Sequence, residues 1–214
     1  MTSIIVFIKF PEPGKVKTRL GAQIGNELAC ACYRLFLGQT FDLLKATSAE
    51  TVIVAYEPQS RAAEFGKIIP VEFESMPQCA GTLGDRMTHA FTTAFEQGSD
   101  QVIAFGSDSP TVPHSYIEDA IKRLSRADIT LGASEDGGYY LIGLKKMHRR
   151  LFEGIAWSSE NVLSETLARA EELKLEVGRI PEWYDIDDLE TLQRAARDDQ
   201  SGRISALLTQ VEVT

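Results

Sequence analysis

The stretch Gln101-Val-Ile-Ala-Phe105, which continues as Gly106-Ser-Asp-Ser-Pro110, decides the fold. Its first half is a nearly continuous apolar run, which is typical of a central strand in a sheet that is covered on both faces. Its second half has the small and polar residues that end a strand and begin a turn. The stretch therefore predicts a buried strand with an acidic residue placed directly after it.

The segments on either side of this strand alternate between strand-like and helix-like patterns. We predict strands over residues 4–10, 51–56, 71–74, 101–105, 129–133, 139–144 and 175–180. We predict helices over residues 26–46, from Leu83 to a stop at Gly98, from about Pro113, from a cap at Ser158 or Ser159, and after Asp188. A short polar helix or turn is predicted after Pro58.

Strands that alternate with helices predict a three-layer α/β/α fold with a mostly parallel, mixed sheet. We find no repeat, no low-complexity tract and no long linker, so residues 1–214 are expected to form a single domain. In open α/β sheets, ligands bind outside the carboxyl ends of the strands. The residues directly after each strand are therefore the candidates for function.

Composition excludes several classes of protein. The formal net charge of −9 argues against polymeric nucleic acid as a partner, although a nucleotide needs only a local basic pocket. The three cysteines form no disulfide framework and are expected to be reduced thiols. No signal peptide or membrane-length apolar run is present, so we expect a cytoplasmic location. The sequence is compatible with a homo-oligomer.

A basic loop follows the first predicted strand. It places Lys9, Lys15, Lys17 and Arg19 close together in an otherwise acidic chain, and Pro13-Gly14 keeps the path non-helical. Cationic side chains and free backbone N–H groups in such a loop suit the phosphates of a nucleotide. The alternative is a solvated basic turn. The loop matches neither a Walker motif nor a dinucleotide fingerprint.

Two acidic groups follow later strands. Asp108, at the end of the central strand, is well placed to hold Mg²⁺ that bridges phosphates, or else it is a turn or cap residue. Asp187 is a candidate for the second metal carboxylate. Its alternative role is in a capping box with Glu190 at the start of the last helix, and both roles are able to coexist.

Two glycine-containing loops complete the candidate set. Asp136, Gly137 and Gly138 follow a predicted strand and are assigned to an acceptor or a sugar, with a tight hairpin as the alternative. In the second loop, an ordinary helix start explains the pattern nearly as well as a role in binding nucleotide. The nucleotide-binding candidates of that loop are Gly81, Gly84 and Arg86.

Together, these motifs resemble the nucleotide-diphospho-sugar transferase superfamily with the GT-A fold, and in particular the bacterial DUF2064 family. The 2-phospho-L-lactate guanylyltransferases are similar in the Lys17-Thr-Arg-Leu20 loop. The matching stretches cover the chain from Lys9 to about Ala195, and as a set they are specific. They are Lys9-Phe-Pro-Glu-Pro-Gly-Lys-Val-Lys-Thr-Arg-Leu20, Gly81-Thr-Leu-Gly-Asp-Arg-Met87, Gly106-Ser-Asp-Ser-Pro110, Asp136-Gly-Gly-Tyr-Tyr-Leu-Ile-Gly143, Trp157-Ser158 and Asp185-Ile-Asp-Asp188.

The resemblance implies a nucleotide over the first loop, with Lys17 and Arg19 on its phosphates. It also implies a divalent cation, Mg²⁺ or Mn²⁺, on Asp108, with Asp187 as the preferred second ligand and Asp185 in reserve. Sugar transferases of this fold commonly carry Asp-x-Asp, whereas this chain has a single carboxylate in Asp108-Ser-Pro. That departure is more similar to nucleotidyltransferases.

Three hypotheses follow, in order of preference. The first is nucleotidyl transfer from a nucleoside triphosphate to a phosphorylated small-molecule acceptor, with Lys17, Arg19 and Asp108 as the catalytic groups. The second is glycosyl transfer from a nucleotide sugar. The third is a non-catalytic nucleotide-binding module. Nucleotidyl transfer depends on positioning and charge neutralisation, which suits a chain without a Ser-His-Asp or Cys-His arrangement.

Overall fold

The computed structural model describes residues 1–211 and has one seven-stranded mixed sheet. The strand order is β3-β2-β1-β4-β6-β5-β7. The strands are β1 Thr2–Lys9, β2 Thr51–Glu57, β3 Glu74–Pro77, β4 Gln101–Gly106, β5 Ile129–Ser134, β6 Tyr139–Leu144 and β7 Val177–Trp183.

Strand β6 is antiparallel to both of its neighbours, and every other pairing in the sheet is parallel. The central strands β1 and β4 pair directly, with Ile5 opposite Ala104 and Phe7 opposite Gly106. Because the chain leaves β1 toward β2 and later enters β4 on the other side, this pair is the switch point where α/β sheets bind ligands. The predicted α/β class with a mostly parallel mixed sheet is confirmed.

Helices cover both faces of the sheet. They are α1 Thr18–Ile24, α2 Asn26–Lys45, α3 Ala62–Phe65, α4 Leu83–Glu96, α5 His114–Arg123, α6 Val162–Glu172, α7 Leu189–Asp198 and α8 Arg203–Val211. Side chains of β1 alternate between two cores: Ile4 and Val6 pack with α2 and α5, and Ile5 packs with α4. In residues 1–211, no helix is both long and apolar enough to span a bilayer.

The third predicted strand is wrong in position. Residues 71–73 lie in a turn, Val71 is 99% exposed, and pairing with β2 begins only at Glu74. A short stretch such as Val71-Glu-Phe-Glu74 carries little register information at a sheet edge. The Ser75-Met-Pro77 part of the strand has no apolar alternation that marks it in the sequence.

The predicted helix starts also need correction. Asn161, not Ser158 or Ser159, is at the N-cap of α6, and it makes no side-chain cap hydrogen bond. Pro113 is the N-cap of α5 rather than a residue of its first turn. Two helices were not predicted: α1 directly after the basic loop, and α8 after α7. The seven-residue α1 is too short for a clear helical period.

Candidate functional site

A cleft of about 650 Å³ lies across the switch point, at the carboxyl ends of β1 and β4. One part is charged and is lined by the basic loop and by strand-end carboxylates. Another part is apolar and includes Leu83, which is 43% exposed although it is a large hydrophobic residue. The charged and polar lining residues are Lys9, Lys15, Lys17, Thr18, Arg19, Tyr33, Glu57, Gln78, Arg86, Ser107, Asp108, Tyr139, Tyr140, Ser158, Asp185 and Asp187.

The basic loop brings its cations to this cleft. All four predicted cations, Lys9, Lys15, Lys17 and Arg19, line it, whereas Pro13 and Gly14 do not. Gly14 has a φ of 75°, a conformation that costs an L-residue free energy, so its contribution is to the loop's path. Pro13 and Gly14, predicted to touch the nucleotide, therefore shape the loop from outside the cleft lining.

Lys17 joins the loop to the opposite carboxylates. Its side chain is only 3% exposed, and its Nζ contacts Asp108 Oδ1 and lies 3.1 Å from Asp187 Oδ1. Burial alone lowers the pKa of Lys17, but the two carboxylates outweigh that effect, so the pKa is raised above its usual value. The ammonium is therefore charged at neutral pH. Arg19, on the exposed rim, lies 2.8 Å from Asp187 Oδ2.

Asp108 is held at the end of β4 by its neighbours. The Ser107 hydroxyl donates to the carbonyl O of Phe7 at 3.1 Å, which ties the turn after β4 to the end of β1. The carbonyl O of Asp108 accepts from the Ile186 N–H at 2.9 Å, which ties the same turn to the segment after β7. The Asp108 side chain is 47% exposed, so its carboxylate remains open to the cleft.

Asp185 is a further carboxyl of the cleft, and its pKa is raised. Burial and the nearby charge of Asp108 raise its pKa to about 6, against the opposing effects of the Ser109 hydroxyl, which donates to it, and of Lys17. A carboxyl with a raised pKa at a strand-end cleft is typical of a functional site.

The capping box of α7 uses Asp188, and the predicted box of Asp187 with Glu190 is wrong. The Asp188 side chain accepts from the Thr191 N–H at 2.8 Å, and the Thr191 hydroxyl accepts from the Asp188 N–H at 3.1 Å. Because Asp188 satisfies the helix start, the Asp187 carboxylate contacts Lys17 and Arg19 in the cleft instead.

The donor set fits a divalent cation that is shared with a ligand. Within residues 1–211, no three His, Cys, Asp or Glu side chains are grouped so as to hold a metal by themselves. Asp108 and Asp187 do contact one common ammonium, so their oxygens converge, and both side chains are partly exposed to the cleft. Mg²⁺ is usually held by one or two carboxylates, with phosphate oxygens and water completing its shell.

The start of α4 contributes differently from what the sequence predicts. Arg86 lines the cleft, but its guanidinium contacts Glu57 and donates to Gln78 Oε1 at 3.1 Å. Gly81 also lines the cleft. Gly84, predicted to bind nucleotide, lies outside the lining, and a Cβ atom there would be 2.6 Å from the carbonyl O of Phe152. Gly84 thus permits close packing.

The loop after β5 is a hairpin turn. Ser134 N–H donates to the carbonyl O of Gly138 at 3.0 Å, and Gly138 N–H donates to Asp136 Oδ1 at 3.0 Å. The hairpin alternative is therefore correct. Asp136, Gly137 and Gly138, predicted to bind acceptor or sugar, do not line the cleft. Asp136 still acts electrostatically, since its charge contributes to the raised pKa of Asp185.

Several polar lining residues were missed, among them the four that follow. Glu57 ends β2 and Gln78 follows β3, so the strand-end rule finds both once β3 is placed correctly. Tyr33, whose hydroxyl accepts from the Lys9 N–H at 3.0 Å, lies inside a helix and gives no such signal. Ser158 lies in a long connection, where sequence position says little about which way the chain turns.

Both the sequence and the fold are similar to those of known proteins. The sequence profile of a bacterial family, described as an uncharacterized protein conserved in bacteria (DUF2064), matches residues 40–159. A protein from Desulfovibrio desulfuricans G20, provisionally named a nucleotide-diphospho-sugar transferase, is 34% identical with a TM-score of 0.92. That match covers 99% of this chain and 95% of the other. No curated protein matches the sequence closely enough to count as a relative.

More distant structures share the fold. The 4-diphosphocytidyl-2C-methyl-D-erythritol synthase of Anaerococcus prevotii is 13% identical with a TM-score of 0.62, over 92% of this chain and 94% of that one. A nucleotidyl transferase from Methanothermobacter is 14% identical with a TM-score of 0.60, over 91% and 95%. At such identities the likeness concerns the backbone architecture alone.

Proposed function

The chain belongs to the DUF2064 family of bacterial proteins, and we propose that it is a nucleotide-utilising transferase that moves a nucleotidyl group to a phosphorylated small-molecule acceptor. One observation carries the proposal: the buried Lys17 ammonium contacts Asp108 and Asp187 in a cleft that other cations of the same loop also line. Cations for phosphates and carboxylates for a divalent cation thus occur side by side.

The proposed reaction is a displacement at phosphorus. An oxygen of the acceptor's phosphate forms a bond to the α-phosphorus of a nucleoside triphosphate, and the bond from that phosphorus to the bridging oxygen breaks. The electron pair leaves with pyrophosphate. No bond to the protein forms, so the chain needs no nucleophile of its own.

The basic loop neutralises the phosphates in this scheme. Lys15, Lys17 and Arg19 supply three positive charges within five residues, and Lys17 is fixed in place by its burial. A fixed charge stabilises developing negative charge more strongly than a mobile one, because it needs no reorganisation during the reaction. Lys17 also holds Asp108 and Asp187 close together.

We propose Asp108 and Asp187 as the ligands of Mg²⁺ or Mn²⁺, with Asp185 close by. When bound, the cation would supply positive charge next to the phosphate oxygens and make the leaving group less basic. The Asp185 side chain belongs to the same cluster of carboxylates, since the charge of Asp108 contributes to the raised pKa of Asp185. The protein's own contribution is to hold these carboxylates just after the end of β4 and just before the start of α7.

Glycosyl transfer from a nucleotide-diphospho-sugar is the second candidate, and one observation favours it: the relative with 34% identity carries that provisional name. The two reactions differ in their products. Nucleotidyl transfer releases pyrophosphate, whereas glycosyl transfer releases a nucleoside diphosphate.

A thermal-shift panel tests the proposal. The four common nucleoside triphosphates and several nucleotide sugars are added with and without Mg²⁺ or Mn²⁺. A ligand at a hundred times its dissociation constant stabilises the folded state by about 2.7 kcal/mol. We expect a shift with a triphosphate that depends on the metal.

Matched variants locate the response. Asp108→Ala removes a carboxylate that lines the cleft, and Asp136→Ala removes one that lies outside it on a neighbouring strand end. We expect Asp108→Ala to lose the metal-dependent shift and Asp136→Ala to keep it. A parent protein that binds no nucleotide, or binds it equally with and without metal, contradicts the proposal.

A further inference from the structure

Two glycines outside the cleft lining pack against a single segment, residues 152–160. A Cβ atom on Gly84 would lie 2.6 Å from the carbonyl O of Phe152 and 2.7 Å from the indole nitrogen of Trp157. A Cβ atom on Gly137 would lie 2.1 Å from the carbonyl O of Glu160. Because no side chain fits at either position, the segment is held closely between the start of α4 and the β5–β6 hairpin.

The segment is also held by its own hydrogen bonds. The Ala156 N–H donates to the Glu165 carboxylate at 2.7 Å. The Ser159 hydroxyl donates to the carbonyl O of Ala156 at 2.7 Å and accepts from the Asn161 N–H at 3.2 Å. These bonds fix the residues on both sides of Ser158.

Ser158 has a left-handed backbone, with a φ of 66°. In residues 1–211, two other non-glycine residues share this conformation. Lys174 directly follows the C-cap of α6, where such a conformation is usual, and Lys17 carries the buried ammonium. Ser158 terminates no helix. Backbone strain of this kind persists where the surroundings enforce it, and it is concentrated at ligand-binding sites.

Ser158 lines the cleft and has free hydrogen-bond donors. Its hydroxyl, and the N–H groups of Ser158, Ser159 and Glu160, donate to no acceptor within residues 1–211. Successive backbone N–H groups beside a left-handed residue form a concave site that suits an anion.

We propose that Ser158 and the N–H groups that follow it bind an anionic group, phosphate or carboxylate, of the acceptor. The inference rests on the proposed function, in which the basic loop holds the nucleotide's phosphates, so the second substrate needs anion-binding groups of its own. Gly137, predicted to touch that substrate, supports the segment that carries Ser158 instead.

Two variants separate the hydroxyl from the strain, and a third is their control. Ser158→Ala removes the hydroxyl and keeps the strain, and Ser158→Gly removes both. Lys174→Gly relieves the strain of the same backbone conformation at an exposed position outside the cleft lining. We expect Ser158→Gly and Lys174→Gly each to raise Tm by about 2 °C and Ser158→Ala not to raise it.

Binding is measured on protein saturated with Mg²⁺ and the triphosphate that gives the largest thermal shift. Inorganic phosphate and acetate are the probes for the two anion classes, and tryptophan fluorescence reports binding because Trp157 adjoins Ser158. We expect the parent and Lys174→Gly to bind at least one probe saturably. We expect both Ser158 variants to bind it about tenfold more weakly, with unchanged triphosphate affinity.

Each contrary outcome is decisive. Equal responses from the parent and the Ser158 variants, including no response at all, overturn the proposal, and binding of one probe only identifies the anion class. Weaker triphosphate binding by Ser158→Ala overturns it too, because Ser158 then contacts the nucleotide. A parent that no triphosphate stabilises contradicts the proposed function itself, and the acceptor proposal fails with it.

Discussion

The loop after β1 and the loop after β5 leave the same edge of the sheet, and both combine glycine with charged residues, yet only one lines the cleft. Residues 134–138 join β5 to the antiparallel β6, so several of their polar groups pair within the turn, as in the bonds from Ser134 N–H to the carbonyl O of Gly138 and from Gly138 N–H to Asp136. The loop after β1 leads away to α1 and α2, so Lys15, Lys17 and Arg19 remain available to the cleft. A loop that closes its own hydrogen bonds has few groups left for a ligand.

Removing a cleft cation gives the largest expected effect. Lys17→Met deletes the ammonium that contacts Asp108 and Asp187, and we expect nucleotidyl transfer to fall by about 10²–10³-fold. The matched change in the hairpin, Asp136→Ala, is expected to leave transfer within about twofold. The measurement is pyrophosphate release at saturating triphosphate. Equal losses for both variants contradict the distinction between the loops.

A methyl group at one glycine of each loop tests which loop is packed. Gly137→Ala meets the Glu160 carbonyl at 2.1 Å and a φ of 87°, so we expect a loss of about 3 kcal/mol in the free energy of unfolding. Gly14→Ala meets nothing closer than 3.5 Å and carries only the conformational cost, about 1 kcal/mol. Urea denaturation of the two variants checks the order, and the reverse order contradicts it.

We expect one carboxyl of the cleft, Asp185, to lower the free energy of unfolding, an effect that we do not expect from the hairpin. The folded protein binds the Asp185 proton more tightly than the unfolded chain does, because the pKa is raised from 3.8 to about 6. This carboxyl therefore lowers stability progressively as pH rises from about 4 to above 6, and has no such effect below 4. We expect Asp185→Asn to stabilise the protein by about 2 kcal/mol at pH 8 in EDTA, and the gain to disappear at pH 4. A gain independent of pH excludes the carboxyl as its cause.

The smallest expected effect distinguishes the roles of two adjacent residues, Asp187 and Asp188. Asp188→Ala removes the N-cap of α7 and is expected to cost about 1 kcal/mol, while Asp188→Asn retains the cap and costs less. Both variants are expected to keep metal-dependent nucleotide binding, which Asp187→Ala is expected to weaken. Thermal denaturation and the nucleotide shift measure the two effects. If Asp188→Asn loses nucleotide binding, the capping residue itself contacts the ligand, and the distinction between Asp187 and Asp188 is wrong.

The sequence indicated most of the fold and part of the candidate site. The apolar run of β4 and the alternation around it were sufficient for the α/β class, and the strand-end rule led to Lys17 and Asp108. The same rule also led to Gly137, which lies outside the cleft lining, because composition does not reveal whether a loop returns to its neighbour. It missed Gln78 because the edge strand β3 has no clear pattern.

The sequence by itself determined most of the local features of this protein: which segments form most of the strands, roughly where those strands end, and which charges stand at those ends. These follow from side-chain periodicity and turn chemistry over a few residues. Only the tertiary structure decided that β6 runs antiparallel, that Asp188 rather than Asp187 caps α7, and that Ser158 reaches the cleft. Those outcomes depend on contacts between residues far apart in the chain, which a local pattern does not specify.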